Sequence, residues 1–127
     1  SSGSGALEYV YDAEPVERVE MSSENLSAVL AGMHDLATDG AVSQYFKDCI
    51  VDAAAKTGTV QTGDTKNNNG AFVCFAPYDD PQIAVAIVIE KGGSGAALAS
   101  TAVQVLNAYF SNTSASSAIT GENTLLG

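Results

Sequence analysis

The sequence predicts an α+β fold, an antiparallel three-stranded sheet with packing helices, on three observations. Apolar residues recur at helical spacing early in the chain, three β-rich stretches follow, and a second helical pattern comes after them. The gaps between the β-rich stretches are too short for crossover helices, so the strands should be antiparallel neighbours. With 127 residues, 46 % of them hydrophobic and 16 % charged, the chain matches one globular domain. Wholesale disorder is excluded.

Residues 1–5, Ser-Ser-Gly-Ser-Gly, read as a flexible linker or an expression scar. Residues 7–11 and 16–20 are rich in Val and Tyr and flank Asp12-Ala13-Glu14-Pro15, which favours a turn, so a small hairpin is expected. Leu26, Val29, Leu30, Met33 and Leu36 then repeat at the spacing of one helix face. Ser22 is placed to cap that helix, Met21 to staple against Leu26, and Asp39-Gly40 to end it. A shorter helix over 42–47 would gather Val42, Tyr45 and Phe46 on one side.

The β block covers 50–61, 71–76 and 83–90, with Gly, Pro, Asp and Asn clustered in the gaps. Ile83-Ala84-Val85-Ala86-Ile87-Val88-Ile89 is continuously apolar and predicts a central strand covered on both faces. Gly92-Gly93-Ser94 opens the second helix, whose buried stripe would be Leu98, Ala102, Val105, Leu106 and Tyr109. Ala96, Ala97, Ala99 and Ser100 are small enough to bring it close to the sheet. From 111 to 127 the composition turns to Ser, Thr, Asn and Gly, which reads as a mobile tail.

A net charge of −10 with no basic patch to neutralise phosphates argues against phosphate-backbone recognition, so no nucleic-acid partner is expected. Between residues 53 and 78 the only ionised side chains are Lys56, Asp64 and Lys66, the one long stretch of positive balance. An anionic ligand belongs there. The longest apolar run, 83–89, is far below the ~20 residues that cross a bilayer. His34 alone cannot build a His-rich metal site and reads as a boundary residue; with no Cys-x-x-Cys, neither metal nor cofactor is expected. If 50–61 is one straight strand, Cys74 lies opposite Thr57 and Cys49 lies ~26 Å further along, at ~3.3 Å per residue. Both thiols should be free and Cys74 inert. Asp79-Asp80-Pro81 reads as a turn, and the acidic residues between 8 and 24 as a solvated face.

Lys56-Thr57-Gly58-Thr59 lies inside the first β-rich stretch, which puts Lys56 and Gly58 on one face and Thr57 and Thr59 on the other. On an edge strand, Gly58 would let a ligand backbone lie close while unpaired N–H groups act as donors. A peptide ending in a carboxylate suits such a surface. The alternative is an ordinary strand lysine beside a glycine; a phosphate loop is excluded, because Gly-x-x-x-x-Gly-Lys-Ser/Thr is absent.

The order helix, Lys-Thr-Gly-Thr strand, Asn/Gly turn, Phe-Val-x-Phe-Ala-Pro strand, Pro-x-Ile-Ala-Val-Ala-Ile-Val-Ile strand and helix resembles the last part of a penicillin-binding protein transpeptidase domain. Lys-Thr-Gly is the third signature of these enzymes, after Ser-x-x-Lys and Ser-Asp-Asn. The similarity runs from about residue 22 to 110, includes Ala31-Gly32-Met33, and points to the class B enzymes. Ala55 stands where the family commonly has Gly, and neither of the other two motifs is present. Ser22-Ser23-Glu24-Asn25 comes nearest, but those serines suit helix capping. The resemblance therefore implies that 6–110 is the C-terminal portion of a transpeptidase domain whose nucleophile lies upstream. It assigns Lys56 to carboxylate orientation or proton transfer, the Thr57 and Thr59 hydroxyls to the carboxylate of D-Ala-D-Ala or a β-lactam, and the Thr59 N–H to half of the oxyanion hole. Gly58 would leave room for the substrate. It further implies a stem-peptide or β-lactam partner, an extracytoplasmic location, the missing N-terminal part as a partner, self-association of the bare sheet edge, and no activity from this chain alone. A non-catalytic extracellular binding or assembly module is the competing reading.

Overall fold

The computed structural model describes residues 14–61 and 68–124. The expected linker, the 7–11 half of the hairpin and most of the turn at 64–68 lie outside the described residues. Residues 16–20 form no strand, and Val16 and Val19 are exposed with nothing among the described residues to pack against. Two short strands without a third element are marginal.

Helix α1 (Ser23–Thr38) starts where expected, because the Ser22 hydroxyl accepts the Asn25 N–H at 3.2 Å and Glu24 sits in the first turn. It ends at Asp39, whose N–H returns to the Asp35 carbonyl at 2.9 Å. Ala37 is buried and Leu30, Met33 and Leu36 are half-buried, whereas Leu26 and Val29 stay 49 % and 53 % exposed. The first half of the predicted stripe thus lacks a partner among the described residues. The short α2 (Ser43–Phe46) follows the fully buried Val42, and the Phe46 ring stacks on Phe72 at 6.4 Å.

Strands β1 (Ala54–Val60), β2 (Asn69–Ala76) and β3 (Ile83–Ile89) form an antiparallel sheet in that spatial order. The central strand is β2, not 83–89. Only one face of β3 is covered: Ile83, Val85 and Ile87 are half-buried while Ala84, Ala86 and Val88 are exposed. The outer face of this apolar run has no cover among the described residues. The β1 ladder begins at Ala54 rather than residue 50, because residues 48–50 are held elsewhere: Asn107 accepts the Ile50 N–H and donates to the Asp48 carbonyl, each at 2.9 Å. This bend also corrects the cysteine geometry. Cys74 pairs with Ala55, not Thr57, and Cys49 packs against the same core cluster as Cys74 instead of lying far along a straight strand. Both thiols are free.

Gly70, Phe72, Cys74 and Ala76 point to the buried inner face, opposite Thr59, Thr57 and Ala55. A 3-10 turn (Gly95–Leu98) and helix α3 (Ala99–Thr124) cover that face. Leu98, Ala99, Ala102, Val103 and Leu106 are the buried stripe of this arm. Val105 and Tyr109, predicted to belong to it, are 41 % and 39 % exposed. The tail expected from Ser111 is helical through Thr124. No proline interrupts it, and the Thr113 and Ser114 hydroxyls bond back to the Tyr109 and Phe110 carbonyls at 2.9 Å, so polar composition there does not break the helix.

Candidate active site

Lys56, Thr57, Gly58 and Thr59 occupy consecutive positions of β1, which is an edge strand of the three-stranded sheet. Alternation places Lys56 and Gly58 on the outer face, with Ala71 and Val73, and turns Thr57 inward opposite Phe72. Lys56 and Thr59 are exposed; Thr57 and Gly58 are half-buried. A recess of about 180 Å³ runs along the two strands between Lys56, Thr57, Gly58, Ala71, Phe72 and Val73. The Lys56 ammonium is folded along the strand and donates to the Thr57 carbonyl at 2.5 Å. Backbone groups alternate sides in an antiparallel pair, so Thr57 and Thr59 direct theirs to the same side of β1.

Gly58 has no conformational reason to be glycine, since its φ is not positive. A methyl there would meet only Ala71 Cβ at 3.4 Å and the Ala71 carbonyl at 3.7 Å, ordinary contacts. Among the described residues, packing therefore leaves room for a side chain at Gly58.

The approach of the chain to β1 is fixed by a cluster that composition did not signal. His34 Nε2 lies 2.9 and 3.0 Å from the two Asp52 carboxylate oxygens, and its ring stacks on Tyr78 at 4.3 Å. The Tyr78 N–H donates to the Asp52 carbonyl at 3.0 Å. These contacts tie α1, the segment before β1 and the β2–β3 connection together four residues ahead of Lys56. His34 is half-buried and structural in this arrangement. Asp79-Asp80-Pro81 lies in the β2–β3 connection, closed by the Gln82 N–H donating to the Ala76 carbonyl at 2.9 Å. Burial raises the Cys49 thiol, and pushes Cys74 up to about 11. Neither is a thiolate at neutral pH. Among the described residues no His/Cys/Asp/Glu group could hold a metal.

The chain thus presents an edge strand carrying Lys-Thr-Gly-Thr, backed by two more antiparallel strands and a helix. Residues 6–110 match the model of the penicillin binding protein transpeptidase domain, and the chain belongs to that family. Within it the chain is similar to the class B PBP2 and MrdA proteins. It is 33 % identical over 92 residues to the peptidoglycan D,D-transpeptidase MrdA of Escherichia coli K12, covering 60 % of this chain and 14 % of that protein. Against penicillin-binding protein 2A of Bacillus subtilis it is 32 % identical over 96 residues, 68 % of this chain and 13 % of the relative. The structure of Pseudomonas aeruginosa PBP2 in complex with WCK 5153 superimposes with a TM-score of 0.65 at 30 % identity, over 79 % of this chain and 23 % of that one. Helicobacter pylori PBP2, in its complex with MreC, gives a TM-score of 0.65 at 25 % identity over 72 % and 18 %. The chain thus spans about one seventh of the length of the curated relatives it matches.

Proposed function

We propose that this chain is one wall of the active site of a serine D,D-transpeptidase that cross-links peptidoglycan and is acylated by β-lactams. The observation that carries the reading is the placement of Lys56-Thr57-Gly58-Thr59 on an edge strand, beside a recess that none of the described residues fills. A stem peptide ending in D-Ala-D-Ala brings a carboxylate, and Lys56 offers it a cation in a chain of net charge −10. The hydroxyls of Thr57 and Thr59 alternate to the other face of β1 from Lys56, so they would meet that carboxylate only at the open edge of the strand. When a serine attacks the penultimate carbonyl, the developing oxyanion needs donors, and the Thr59 N–H on the open strand is suited to supply one. Gly58 leaves the space through which the peptide backbone approaches. The bond from serine to the acyl group forms as the bond to terminal D-Ala breaks, and the amine of a second stem peptide later displaces the serine.

The nucleophile and the Ser-x-Asn motif would be supplied by the N-terminal part of the same domain, so the 127-residue chain alone should be inactive. The parent would work on the outer side of the bacterial cytoplasmic membrane; no helix among the described residues is long and apolar enough to cross one. The Helicobacter pylori complex makes a protein of the MreC kind a reasonable partner of the parent.

A fluorescent penicillin tests the proposal. The full-length protein should be labelled covalently, Lys56→Ala should lower its acylation rate by ~10²-fold or more, as expected when a charged transition-state contact is lost, and the isolated chain should stay unlabelled. Labelling of the isolated chain, or full-rate labelling of the Lys56 variant, would refute it.

A further inference from the structure

Behind β1, on the face opposite Lys56, the chain makes a second close approach that the assigned roles do not use. After β3 the backbone turns sharply, with Lys91 at φ 55° and Gly93 at φ 80°. Two bonds hold this turn to the start of β2: the Lys91 N–H donates to Asn69 Oδ1 at 2.9 Å, and the Gly93 N–H to the Asn68 carbonyl at 3.0 Å. It delivers Gly95, which is buried, beneath the rung where Gly58 pairs with Ala71. A Cβ on Gly95 would collide with the Ala71 carbonyl oxygen, reach 2.5 Å from the Gly58 carbonyl oxygen and 3.1 Å from the Gly58 nitrogen. All three are backbone atoms, so no side-chain rotation relieves the clash. Gly70 completes the seat: a Cβ there would lie 3.2 Å from Gly95 N and from Ser94 C, and 3.3 Å from the Ser94 carbonyl oxygen.

Resting on the reading of Lys56–Thr59 as an active-site wall, we propose that Gly95 is a positioning residue for the oxyanion donor, acting through Gly58. The 3-10 turn braces β1 from behind by direct backbone contact, and the depth at which it seats sets how far Gly58 and the following Thr59 N–H stand into the groove. A side chain at position 95 forces the turn, the Ala71 carbonyl or the Gly58 peptide to give way, and each of these shifts alters how β1 is braced at Gly58. A donor displaced by a few tenths of an ångström loses alignment with a developing charge more than with a ground-state carbonyl. The defect should therefore fall on the acylation step and leave the initial complex largely intact.

Stopped-flow acylation of the full-length protein by a fluorescent penicillin tests this, with Gly95→Ala, Gly70→Ala and Gly32→Ala compared. Position 32 is the control, since a Cβ there meets nothing within 4 Å. The limiting acylation rate should fall about 10-fold or more in Gly95→Ala, a fraction of what removal of a whole oxyanion donor costs. Gly70→Ala, with the milder contacts, should lose about 3-fold and Gly32→Ala nothing, while the dissociation constant of the non-covalent complex moves less than about 3-fold. A purely structural role would shrink the labelled fraction and leave the rate constant of the folded protein unchanged in both Gly95→Ala and Gly70→Ala; that result overturns the proposal. Should Gly95→Ala fail to fold, Gly70→Ala decides by the same criterion. If the unaltered protein is not acylated at all, it is the transpeptidase reading that fails.

Discussion

Gly58 and Gly95 are glycines for opposite reasons. At 95 the chain's own backbone occupies the place of a side chain, whereas at 58 none of the described residues does. Gly58→Ala should therefore keep or slightly raise stability, since a strand-interior glycine costs roughly 0.5–1 kcal/mol relative to alanine. The same change should suppress penicillin acylation of the full-length protein; a thermal melt and a labelling assay read the two effects separately. Cys74 makes a different residue-scale prediction. Its thiol is pushed from 9.0 to about 11 by burial, then by nearby Cys49, against an opposing hydrogen bond from the Val85 backbone. The folded protein keeps this proton where the unfolded chain has lost it, so stability is intact below about pH 9 and declines as pH rises toward 11. Urea midpoints at pH 8 and 10.5 should fall more in the wild type than in Cys74→Ala, and equal losses would contradict the assignment.

At the scale of elements, α3 offers a sharp comparison. Leu106 is fully buried and Val105 is 41 % exposed. Truncating Leu106 to alanine should cost about 2–5 kcal/mol, and truncating Val105 less than about 1 kcal/mol, both read from denaturant midpoints. At the start of α1, Ser22→Ala should destabilise by about 1 kcal/mol through the lost cap.

Helix starts, strand number, pairing direction and Lys56-Thr57-Gly58-Thr59 were legible in the sequence because each is written in local chemistry: a capping serine, β-branched runs, gaps too short for a helix. What was not legible depends on contacts remote in sequence. The bend at 48–50 exists because Asn107 reaches back from α3, and nothing near residue 50 announces it. The apolar run 83–89 has the composition of a central strand, yet it borders the sheet. Polar residues beyond 110 suggested a tail, although serine and threonine in the absence of proline continue a helix already begun. The role of Gly95 could not be found in a glycine-rich turn until the turn was seen against β1.

On the scale of the whole molecule, part of the apolar surface left uncovered among the described residues lies on the outer face of the sheet and on α1. Val73, Val88, Ala84 and Ala86 face outward from the sheet, and Leu26 and Val29 from α1. In the full-length protein this surface would meet the remainder of the domain; in isolation it should drive association between copies. Sedimentation velocity of the isolated chain should show concentration-dependent oligomers, reduced by Val88→Lys, which places a charge on an exposed strand border. A single monomeric species at all concentrations would contradict this expectation.

The sheet ends in two unpaired borders among the described residues, β1 on one side and β3 on the other. A border that must receive a peptide cannot be blunted with proline or bulges, since those would erase the donors it needs. On the proposed reading, the strand bearing Lys56 must stay open to a peptide and so stays open to pairing with another copy, and association of the chain should compete with substrate for the same edge.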